Sequence, residues 1–350
     1  MRRVISRLAA PLAIATTLAV GMTAAYVGSG SPLSAAATPT CDLAAAGIRL
    51  IRTSALGERP ALDRWCSAVG PPARIEGTHT PGGFTGPLTV VSWNVHVGAG
   101  DIDAFVNDLR TGRVTGQPVR DFILLLQEAY RGGATVPSLM AMPWASAEPP
   151  AGLGKARVEV TAAAERLGLS AVYVPSMRNG KPGVTAEDRG NAILSTLPLA
   201  DVTGIELPLE RQRRVAIAAT VRIVPTGAEP RTVRIVCTHF TNMVMHHLWL
   251  LSESGRLRQA RALAATLPHD GPLIVGGDFN AWFGFRDAAY RELARAVAPP
   301  AGLDRRPTFG PLRLDHLLFR LPEGWRAELR RGESKYGSDH YPLVASVDLR

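Results

Sequence analysis

The sequence predicts one mixed α/β (α+β) domain behind a short N-terminal region. Two observations favour this fold class. Short runs of β-branched and other apolar residues, with Gly or Pro between them, recur from Leu88 to the end of the chain, as expected of buried strands. Amphipathic segments alternate with these runs, as expected of helices that cover a sheet. The chain has 350 residues, 46% of them apolar and 20% charged, which is ordinary globular composition and excludes a disordered or fibrous protein.

Residues 1–37 have the pattern of an export signal. Arg2, Arg3 and nearby Arg7 precede an apolar, Ala-rich run, and small residues follow as far as Ser34–Ala37. An uncleaved membrane anchor is the alternative, but proline, glycine and threonine interrupt the run, which suits a span of ~20 apolar residues poorly. We therefore expect a secreted or extracytoplasmic protein that has no stable membrane span once the signal is cleaved.

Residues 38–86 are predicted to be an N-terminal extension of short helical pieces that ends in a Pro/Gly-rich link. Cys41 and Cys66 lie in this extension, and an oxidising destination allows them to form a disulfide. Cys237 lies inside an apolar run, where a buried free thiol is the expected state. The formal charge of +9 favours a polyanion or an anionic membrane surface as partner, but an arginine-rich composition explains it equally well. The charge therefore selects no substrate.

The remaining residues, 87–350, are predicted to form the catalytic domain. Each predicted strand is a short apolar run bounded by turn residues, and each predicted helix has apolar residues at helical spacing. The predicted strands are Leu88–Trp93, Phe122–Leu126, Ala171–Val174, Val215–Val224, Val233–Thr238, Leu273–Val275, Leu314–Phe319 and Leu343–Val347. The predicted helices are Asp101–Leu109, Val158–Leu167, Ser252–Leu267 and Asp287–Ala298.

Polar side chains follow many of these strands at the point where each strand ends. Taken singly, each has a plain explanation, because Asp and Asn favour turns and a histidine after a buried strand is often a core residue. Their joint presence indicates a site, since a rigid scaffold converges side chains in this way. The segments contain Asn94 (VVSWNVH), Gln127–Glu128 (LLLQE), Arg189–Asn191 (RGNAILS), Thr238–His239 (VCTH), Asp278–Asn280 (GGDFN), Asp315 (RLDH) and Ser338–His340 (YGSDH).

Taken in order, the segments SWN, LLLQE, GNAILS, THF, GGDFN, RLD and SDH resemble the motif series of the endonuclease/exonuclease/phosphatase superfamily. This is the fold of pancreatic deoxyribonuclease and bacterial sphingomyelinase. The resemblance runs from about Leu88 to Leu349, and GDFN and SDH are its most specific parts. It implies a four-layer sandwich, in which two mixed β-sheets pack face to face between helices and the site lies at one end.

The resemblance also implies a metal site. Glu128 would bind Mg²⁺ directly, Asn94 would lie close by, and Asp339 would be a second ligand of the metal or of its water shell. This donor set is chemically consistent, because Mg²⁺ is a hard cation that prefers carboxylate, amide and water oxygens. Mn²⁺ and Ca²⁺ are alternatives, and the sequence leaves open whether one or two metals bind.

The catalytic residues implied by the resemblance surround the attacking water and the phosphate. Asp278 would orient or deprotonate the water, while Asn280 and His239 would hold phosphoryl oxygens. His340 would complete the site, with Asp315 fixing its ring, because a histidine held by a carboxylate keeps one tautomer and a raised pKa. The sequence leaves open whether Asp278 or His340 takes the proton of the water.

Phosphate binding is predicted for Arg189 and Asn191, because the superfamily places this segment beside the site. The basic cluster Glu210–Arg214 precedes a strand, and it either lines the same cleft or is a solvated strand edge. His96 is a departure, since some members carry an acid at this position.

The predicted function is hydrolysis of phosphodiester bonds by metal-assisted, in-line attack of water, with a nucleic acid as substrate. The nuclease is preferred because the sequence has no obvious aromatic hairpin for membrane docking; Trp144 and Trp282–Phe283 come nearest. A phospholipid (sphingomyelin-type) phosphodiesterase and an inositol-phosphate phosphatase are the alternatives on the same fold. A secreted binding protein without catalysis is the alternative from another class. The expected partner is a nucleic acid or a phospholipid head group, and the expected state is a monomer.

Overall fold

The structure is a computed structural model that describes most of the chain after the predicted signal. The predicted signal, Cys41 and Trp144 lie outside the described residues. The described residues are 43–78, 86–137, 146–147, 157–179, 186–225, 227, 229–242 and 249–349.

Strands and helices alternate along the described part of the chain. Short 3-10 helices lie at Leu43–Ala46, Leu56–Glu58 and Gly284–Arg286. The α-helices are α1 (Arg59–Ser67), α2 (Ile102–Arg110), α3 (Val160–Leu167), α4 (Trp249–Ala264) and α5 (Ala288–Ala296). The strands are β1 (Arg49–Arg52), β2 (Ala73–Ile75), β3 (Leu88–Asn94), β4 (Phe122–Gly132), β5 (Ser146–Ala147), β6 (Ser170–Asn179), β7 (Glu187–Ser195), β8 (Ala200–Glu206), β9 (Val215–Ile223), β10 (Arg231–His239), β11 (Leu273–Asp278), β12 (Gly302–Leu303), β13 (Asp315–Arg320), β14 (Arg326–Arg331) and β15 (Leu343–Asp348).

Local sequence explains where several helices begin and end. The Asp101 carboxylate accepts a hydrogen bond from the Ala104 backbone N–H and caps the start of α2. Asp287 caps α5 in the same way through the Ala289 N–H. Both carboxylates satisfy a backbone donor that the first turn of a helix leaves free. Gly168 ends α3 with a φ of 68°, a left-handed conformation that glycine adopts without steric penalty.

Two mixed β-sheets form the body of the described protein. The first sheet has the strand order β1-β8-β9-β10-β11-β13, and the second has the order β12-β14-β15-β3-β4-β7-β6-β2, with β5 paired to β6. Each sheet mixes parallel and antiparallel pairs, and its central parallel pair is β10 with β11 in the first sheet and β3 with β4 in the second.

The sheets pack face to face, and helices cover their outer faces. Val90 and Ile123 of the second sheet share an apolar interior with Ile217 and Ile235 of the first. Helices α2 and α3 cover the outer face of the second sheet, and α4 and α5 cover that of the first. Along β3, Val90 faces the interior while its neighbour Val91 packs under the helices. Because both faces are buried, such strands are continuous apolar runs. The predicted four-layer sandwich is confirmed.

Some strands are longer than predicted, and others were missed. Strand β4 continues past Leu126 to Gly132, because the later residues still pair with β7 beyond a bulge. Strands β7 and β8 were not predicted as strands. Strand β14 has the sequence RAELRR, in which exposed charged residues alternate with two buried apolar ones. It therefore lacks the apolar run by which the other strands were found.

The N-terminal residues 43–78 take part in the sandwich. Strand β1 pairs in parallel with β8 at one edge of the first sheet, and β2 pairs with β6 at one edge of the second. Leu43 and Ile48 are buried in the interior between the sheets. The segment predicted as an extension over residues 38–86 thus supplies an edge strand to each sheet.

Cys237 is a buried free cysteine, as predicted. Because Cys41 lies outside the described residues, its disulfide with Cys66 stays a prediction. Among the described residues, no helix has both the length and the apolar character that a membrane crossing needs.

Candidate active site

The candidate site lies where neighbouring strands of both sheets end. His239 and Asp278 are register partners at the ends of the parallel strands β10 and β11, and Asp278 is also the partner of Asp315 at the start of β13. In the second sheet, Asn94 at the end of β3 is the partner of Gln127 in β4. Strand pairing therefore brings these residues together at one end of the strands in each sheet.

Asp278 lies buried at the centre of this group. Its Oδ2 accepts a hydrogen bond from Asn94 Nδ2 at 3.0 Å, which joins the two sheets, and its Oδ1 accepts one from the Asn280 backbone N–H at 2.8 Å. The Nε2 atoms of His239 and His340 lie 3.4 and 4.0 Å from Asp278 Oδ2. Side chains from both sheets and the backbone N–H of the following turn thus surround a single carboxylate.

Burial, together with the charge of Asp315, raises the pKa of Asp278 to about 6. The positive charge of His340 and the hydrogen bonds from Asn94 and Asn280 oppose this rise. At neutral pH the carboxylate is therefore mostly ionised, and it is a stronger base than an exposed aspartate. Such a pKa suits a group that accepts a proton from water.

His340 is held by Asp315. The distance from His340 Nδ1 to Asp315 Oδ2 is 2.8 Å, and Asp315 is fully buried. The backbone of His340 is fixed as well, because its carbonyl accepts from Trp93 Nε1 at 3.2 Å and its N–H donates to Ser338 Oγ at 3.1 Å. Burial lowers the pKa of His340, but the charge and hydrogen bond of Asp315 outweigh it and raise the pKa to about 10. The imidazole is therefore protonated at neutral pH, with Nε2–H directed to the site.

Glu128 lies on a bulge in β4. The register with β7 shifts between Leu126 and Ala129, and Glu128 has a φ of 51°, which is unusual for a residue with a side chain. Bulges redirect side chains next to active sites. Here the Glu128 carboxylate accepts a hydrogen bond from Arg189 Nη1 at 3.3 Å, and both side chains are mostly buried.

Asp339 is the most open acid of the predicted set, with 38% of its side chain exposed. Its Oδ1 lies 3.6 Å from His96 Nδ1 and 3.9 Å from His340 Nε2. The same Oδ1 is itself buried and has no hydrogen-bond partner among the described residues. This oxygen therefore lies at the edge of the site within ion-pair distance of two histidines, but it accepts no hydrogen bond from the described residues.

A sequence profile described as the endonuclease/exonuclease/phosphatase family matches residues 91–340, which contain every predicted site residue. The chain belongs to the endonuclease/exonuclease/phosphatase family. The resemblance found in the sequence is thereby confirmed, and family membership supports a phosphoesterase.

Solved structures share the fold at low identity. An endonuclease/exonuclease/phosphatase from Beutenbergia cavernae is 17% identical with a TM-score of 0.51, over 75% of this chain and 72% of that chain. A family protein from Leptotrichia buccalis is 13% identical with a TM-score of 0.50, over 75% of this chain and 100% of that chain.

Curated proteins match part of the chain by sequence. A UPF0294 protein of Vibrio vulnificus strain YJ016 is 37% identical over 94 residues, which are 25% of this chain and 31% of the relative. The chain thus spans about a third of the length of the curated relatives it matches.

The oxygen donors expected of this family fit a hard divalent cation. Glu128 and Asp339 offer carboxylates, and Oδ1 of Asp339 makes no hydrogen bond with the described residues that would compete with a cation. Asp278, Asp315 and His340 also have ligand atoms within 4.8 Å of one another. Their arrangement is better explained by proton chemistry, because a histidine with a raised pKa keeps its proton and offers no lone pair.

Two predicted phosphate ligands of the family pattern make contacts within the protein. Asn191 is buried in β7, and its Nδ2 donates to the Val215 carbonyl in the other sheet at 2.8 Å. Asn280 has a φ of 48°, and its Nδ2 donates to the Phe240 carbonyl at 3.0 Å. The amide donors described for these residues therefore stabilise the scaffold, and their roles as phosphate ligands stay predictions.

Arg214 is a site residue that the sequence did not single out. It is buried directly before β9, and its Nη1 lies 3.0 Å from Nδ1 of His239. The cluster Glu210–Arg214 was recognised from its charge, but the exposed Arg211 and the buried Arg214 look alike in the sequence. The only signal was position, since Arg214 directly precedes an apolar strand.

His96, which stood out as a departure from the family pattern, lies beside Asp339.

Proposed function

We propose that the protein is a Mg²⁺-dependent hydrolase of phosphodiester bonds, acting on nucleic acid. The observation that carries this proposal is the pairing of two groups across 4.0 Å, the buried Asp278 carboxylate and Nε2 of the protonated His340. The surroundings raise both pKa values, that of the Asp278 carboxyl group to about 6 and that of the His340 imidazole to about 10. At neutral pH one group accepts a proton and the other holds one.

Each group has a distinct task in hydrolysis by water. Asp278 Oδ2 accepts the proton of the attacking water, and Asn94 and the Asn280 N–H keep the carboxylate in place. His340 places its Nε2–H towards the developing negative charge on the phosphate and keeps its ring fixed through Asp315. Preorganised donors of this kind stabilise the transition state because they need no rearrangement during the reaction.

Glu128, Asp339 and the amide oxygen of Asn94 are the residues proposed to hold the metal. When bound, the cation would supply positive charge to the phosphoryl oxygens and lower the pKa of water. Arg189 keeps the Glu128 carboxylate in position through their 3.3 Å contact.

Nucleic acid is proposed as the substrate because the described surface lacks an aromatic docking element. Among the described residues, the exposed large apolar side chains are Leu56 and Phe283, which lie far apart in the sequence, and the neighbouring Trp282 is partly buried. A lipid-cleaving enzyme needs an apolar patch to reach a bilayer.

A substrate panel tests this proposal. The purified protein is assayed with Mg²⁺, and with EDTA, against duplex DNA, single-stranded DNA, RNA, sphingomyelin vesicles, inositol hexakisphosphate and chromogenic phosphate diesters and monoesters. His340→Ala, prepared identically, controls for contaminating nucleases. We expect cleavage of nucleic acid and of the diester. Cleavage of sphingomyelin alone or of monoesters alone would identify one of the two alternative enzymes, and no turnover of any substrate would favour a binding protein.

The metal role is tested by Glu128→Ala. Loss of this carboxylate leaves the cation too few anionic oxygens, so Mg²⁺ affinity and activity should fall together. Isothermal titration with Mg²⁺ measures the affinity directly. Glu165→Gln, at an exposed position of α3, removes one negative charge elsewhere and should change neither quantity. Equal Mg²⁺ affinity in Glu128→Ala and the unmodified protein would exclude Glu128 as a ligand.

We further propose that residues 1–37 are removed on export and that Cys41 and Cys66 then form a disulfide. The support is the signal pattern and the presence of both cysteines near the N-terminus of the mature chain. Mass spectrometry of non-reduced peptides from exported protein tests both points. Free thiols at Cys41 and Cys66, or an intact N-terminus, would contradict them.

A further inference from the structure

Arg214 is buried beside the site without an acidic partner in the part of the chain that the structure describes. Only 3% of the residue is exposed, and the negative charges of Glu128 and Asp278 act on its guanidinium without forming an ion pair with it. Its Nη1 contacts Nδ1 of His239 at 3.0 Å, and its Nη2 reaches Gln212 Oε1 at 3.5 Å. Burying a guanidinium is unfavourable unless its donors are used. The short contact with His239 is the principal use that the structure shows.

This contact fixes the protonation pattern of the His239 ring. A guanidinium only donates hydrogen bonds, so Nδ1 of His239 must accept. The proton of the neutral imidazole is then on Nε2, which faces Asp278 Oδ2 at 3.4 Å. Burial lowers the pKa of Arg214 to about 10, so the guanidinium remains charged at neutral pH.

The surroundings keep His239 neutral. The ring is 4% exposed, and both Arg214 and Arg189 are close enough for their positive charges to act on it. Burial, with these charges, lowers the pKa of His239 well below its ordinary value. His239 therefore differs from His340, whose Nδ1 contacts a carboxylate at 2.8 Å. Two histidines that face the same Asp278 oxygen thus differ in protonation state. His239 is neutral beside Arg214, and His340 is protonated beside Asp315.

We propose that Arg214 is a positioning residue that holds His239 as a neutral imidazole whose Nε2–H faces Asp278 Oδ2 across 3.4 Å. Through this arrangement His239 orients the carboxylate and does not compete with it for the proton of the water. The inference rests on the proposed function, because it assigns Asp278 as the proton acceptor. The tautomer itself can be measured without any substrate.

The first test is ¹⁵N NMR of protein labelled at histidine, with His239→Gln used to assign the His239 signals. The expected spectrum shows Nδ1 without a proton and Nε2 with one at neutral pH. A proton on Nδ1 of His239 would overturn the inference. This result does not depend on turnover, so it stands even if the substrate panel shows no activity and the proposed function fails.

The second test compares variants of Arg214 on the substrate identified by the panel. Arg214→Met keeps the apolar stem and removes the donors, so kcat should fall by about 10- to 100-fold while KM changes little. Arg214→Lys keeps a charged donor and should recover part of kcat. Arg211→Met, which removes an exposed charge three residues earlier, is the matched control and should retain normal kcat.

Unchanged kcat in Arg214→Met would overturn the inference. The inference would also be overturned if both variants are folded and kcat falls as far in Arg214→Lys as in Arg214→Met. Circular dichroism and urea unfolding establish that each variant is folded. If Arg214→Met does not fold, the NMR signature of the unmodified protein and the kcat of Arg214→Lys decide the matter. An Nε2–H tautomer together with partial loss of kcat in Arg214→Lys supports the inference.

Discussion

Asp315 and His340 lie 25 residues apart in the chain, and their side chains meet at 2.8 Å in the site. The pairing was predicted from a motif series, and the structure gives it a physical consequence. Asp315 raises the pKa of His340 to about 10, so the ring is charged when the substrate arrives. The carboxylate therefore acts through the ring and not on the substrate itself.

This unit leads to a prediction for three variants. His340→Ala should lower kcat by about 100-fold, as expected for loss of a general acid–base group. Asp315→Asn should lower kcat less, and it should move the alkaline limb of the pH–rate profile to lower pH, because His340 then loses its proton more easily. The double variant should be little slower than His340→Ala alone. Additive losses in steady-state kinetics would show that the two residues act independently.

His316 leads to a prediction about stability and pH. It is buried among Phe279, Phe285 and Tyr290, with ring centroids 4.4 to 5.4 Å away. Burial, and secondarily Arg313, lowers the pKa of His316 well below 6.5. The folded state then binds no proton here where the unfolded chain does, so this contribution to the free energy of unfolding is present above pH ~6.5 and is lost as the pH falls below it.

The measurement for His316 is urea unfolding between pH 5 and 7.5. The free energy of unfolding of His316→Phe should depend on pH less steeply than that of the unmodified protein, by up to about 1.4 kcal/mol per pH unit below the unfolded pKa. His239 also has a lowered pKa and contributes in the same direction, so some slope should remain. Identical slopes in the two proteins would show that His316 takes up its proton in the folded state.

Site residues could be predicted from the sequence wherever they belong to a recognisable motif. Asn94, Asp278 and Asp315 were found because each follows or begins an apolar strand in a specific segment. Arg214 was not, because burial separates it from Arg211 and burial is a property of the fold. The contacts of Asn191 and Asn280 with backbone carbonyls were also beyond the sequence, since an amide serves a scaffold or a ligand equally well.

At the scale of the strand, the end of β11 depends on close contact with β10. A Cβ atom at Gly277 would lie 1.9 Å from the Thr238 carbonyl oxygen, and the strands cannot separate without moving Asp278. The neighbouring Gly276 is confined by Leu317 and Leu125, side chains of the interior. The two glycines of GGDFN thus allow β11 to carry the catalytic carboxylate into a tightly packed position.

Gly277→Ala should therefore destabilise the protein and displace Asp278. Overpacking of this kind typically lowers the free energy of unfolding by about 1–3 kcal/mol. Urea unfolding and kcat at a temperature where the variant is folded are the two measurements, and both should fall. Gly57→Ala is the control, because no atom lies within 4 Å of an added Cβ there. Normal kcat in a stable Gly277→Ala protein would contradict the close contact.

The elements that sequence could predict were those with continuous apolar runs or helical spacing. Strands β3 and β15 were placed almost to the residue, since buried apolar residues make up most of each strand. Strand β14 was missed because one face is charged, and β1 was missed because its four residues RLIR begin and end with arginine. The bulge at Glu128 was equally hidden, since φ at one position leaves no pattern in neighbouring residues.

At the scale of the whole molecule, the N-terminal segment completes the sandwich. Strands β1 and β2 are edge strands of different sheets, and Leu43 and Ile48 are buried between the sheets. The segment is also tied to the strand that carries Arg189, because the Gly70 N–H donates to the Asp188 carboxylate at 2.8 Å. A domain boundary drawn from composition near residue 87 does not detect these contacts, which join residues far apart in sequence.

Removal of residues 1–86 should therefore destabilise the remaining chain. Loss of buried Leu43 and Ile48 alone corresponds to about 1.5–3 kcal/mol for each side chain. Chemical unfolding of residues 38–350 and 87–350 under the same conditions measures the difference. Equal stability and equal kcat for the two proteins would show that the N-terminal segment is an independent addition.

Cys237 gives the sandwich a natural reporter of its own opening. The thiol lies between the two sheets, where Gln127 Nε2 approaches its sulfur at 3.3 Å and burial raises its pKa to about 12. A thiol-reactive dye needs both access and a thiolate, and the closed protein offers neither. Labelling of Cys237 should thus occur only in molecules whose two sheets have separated. A ligand that binds to both Asn94 and Asp278 should hold the sheets together and lower the labelling rate. The rate of dye incorporation would then report the rate at which the catalytic scaffold opens, without an introduced cysteine.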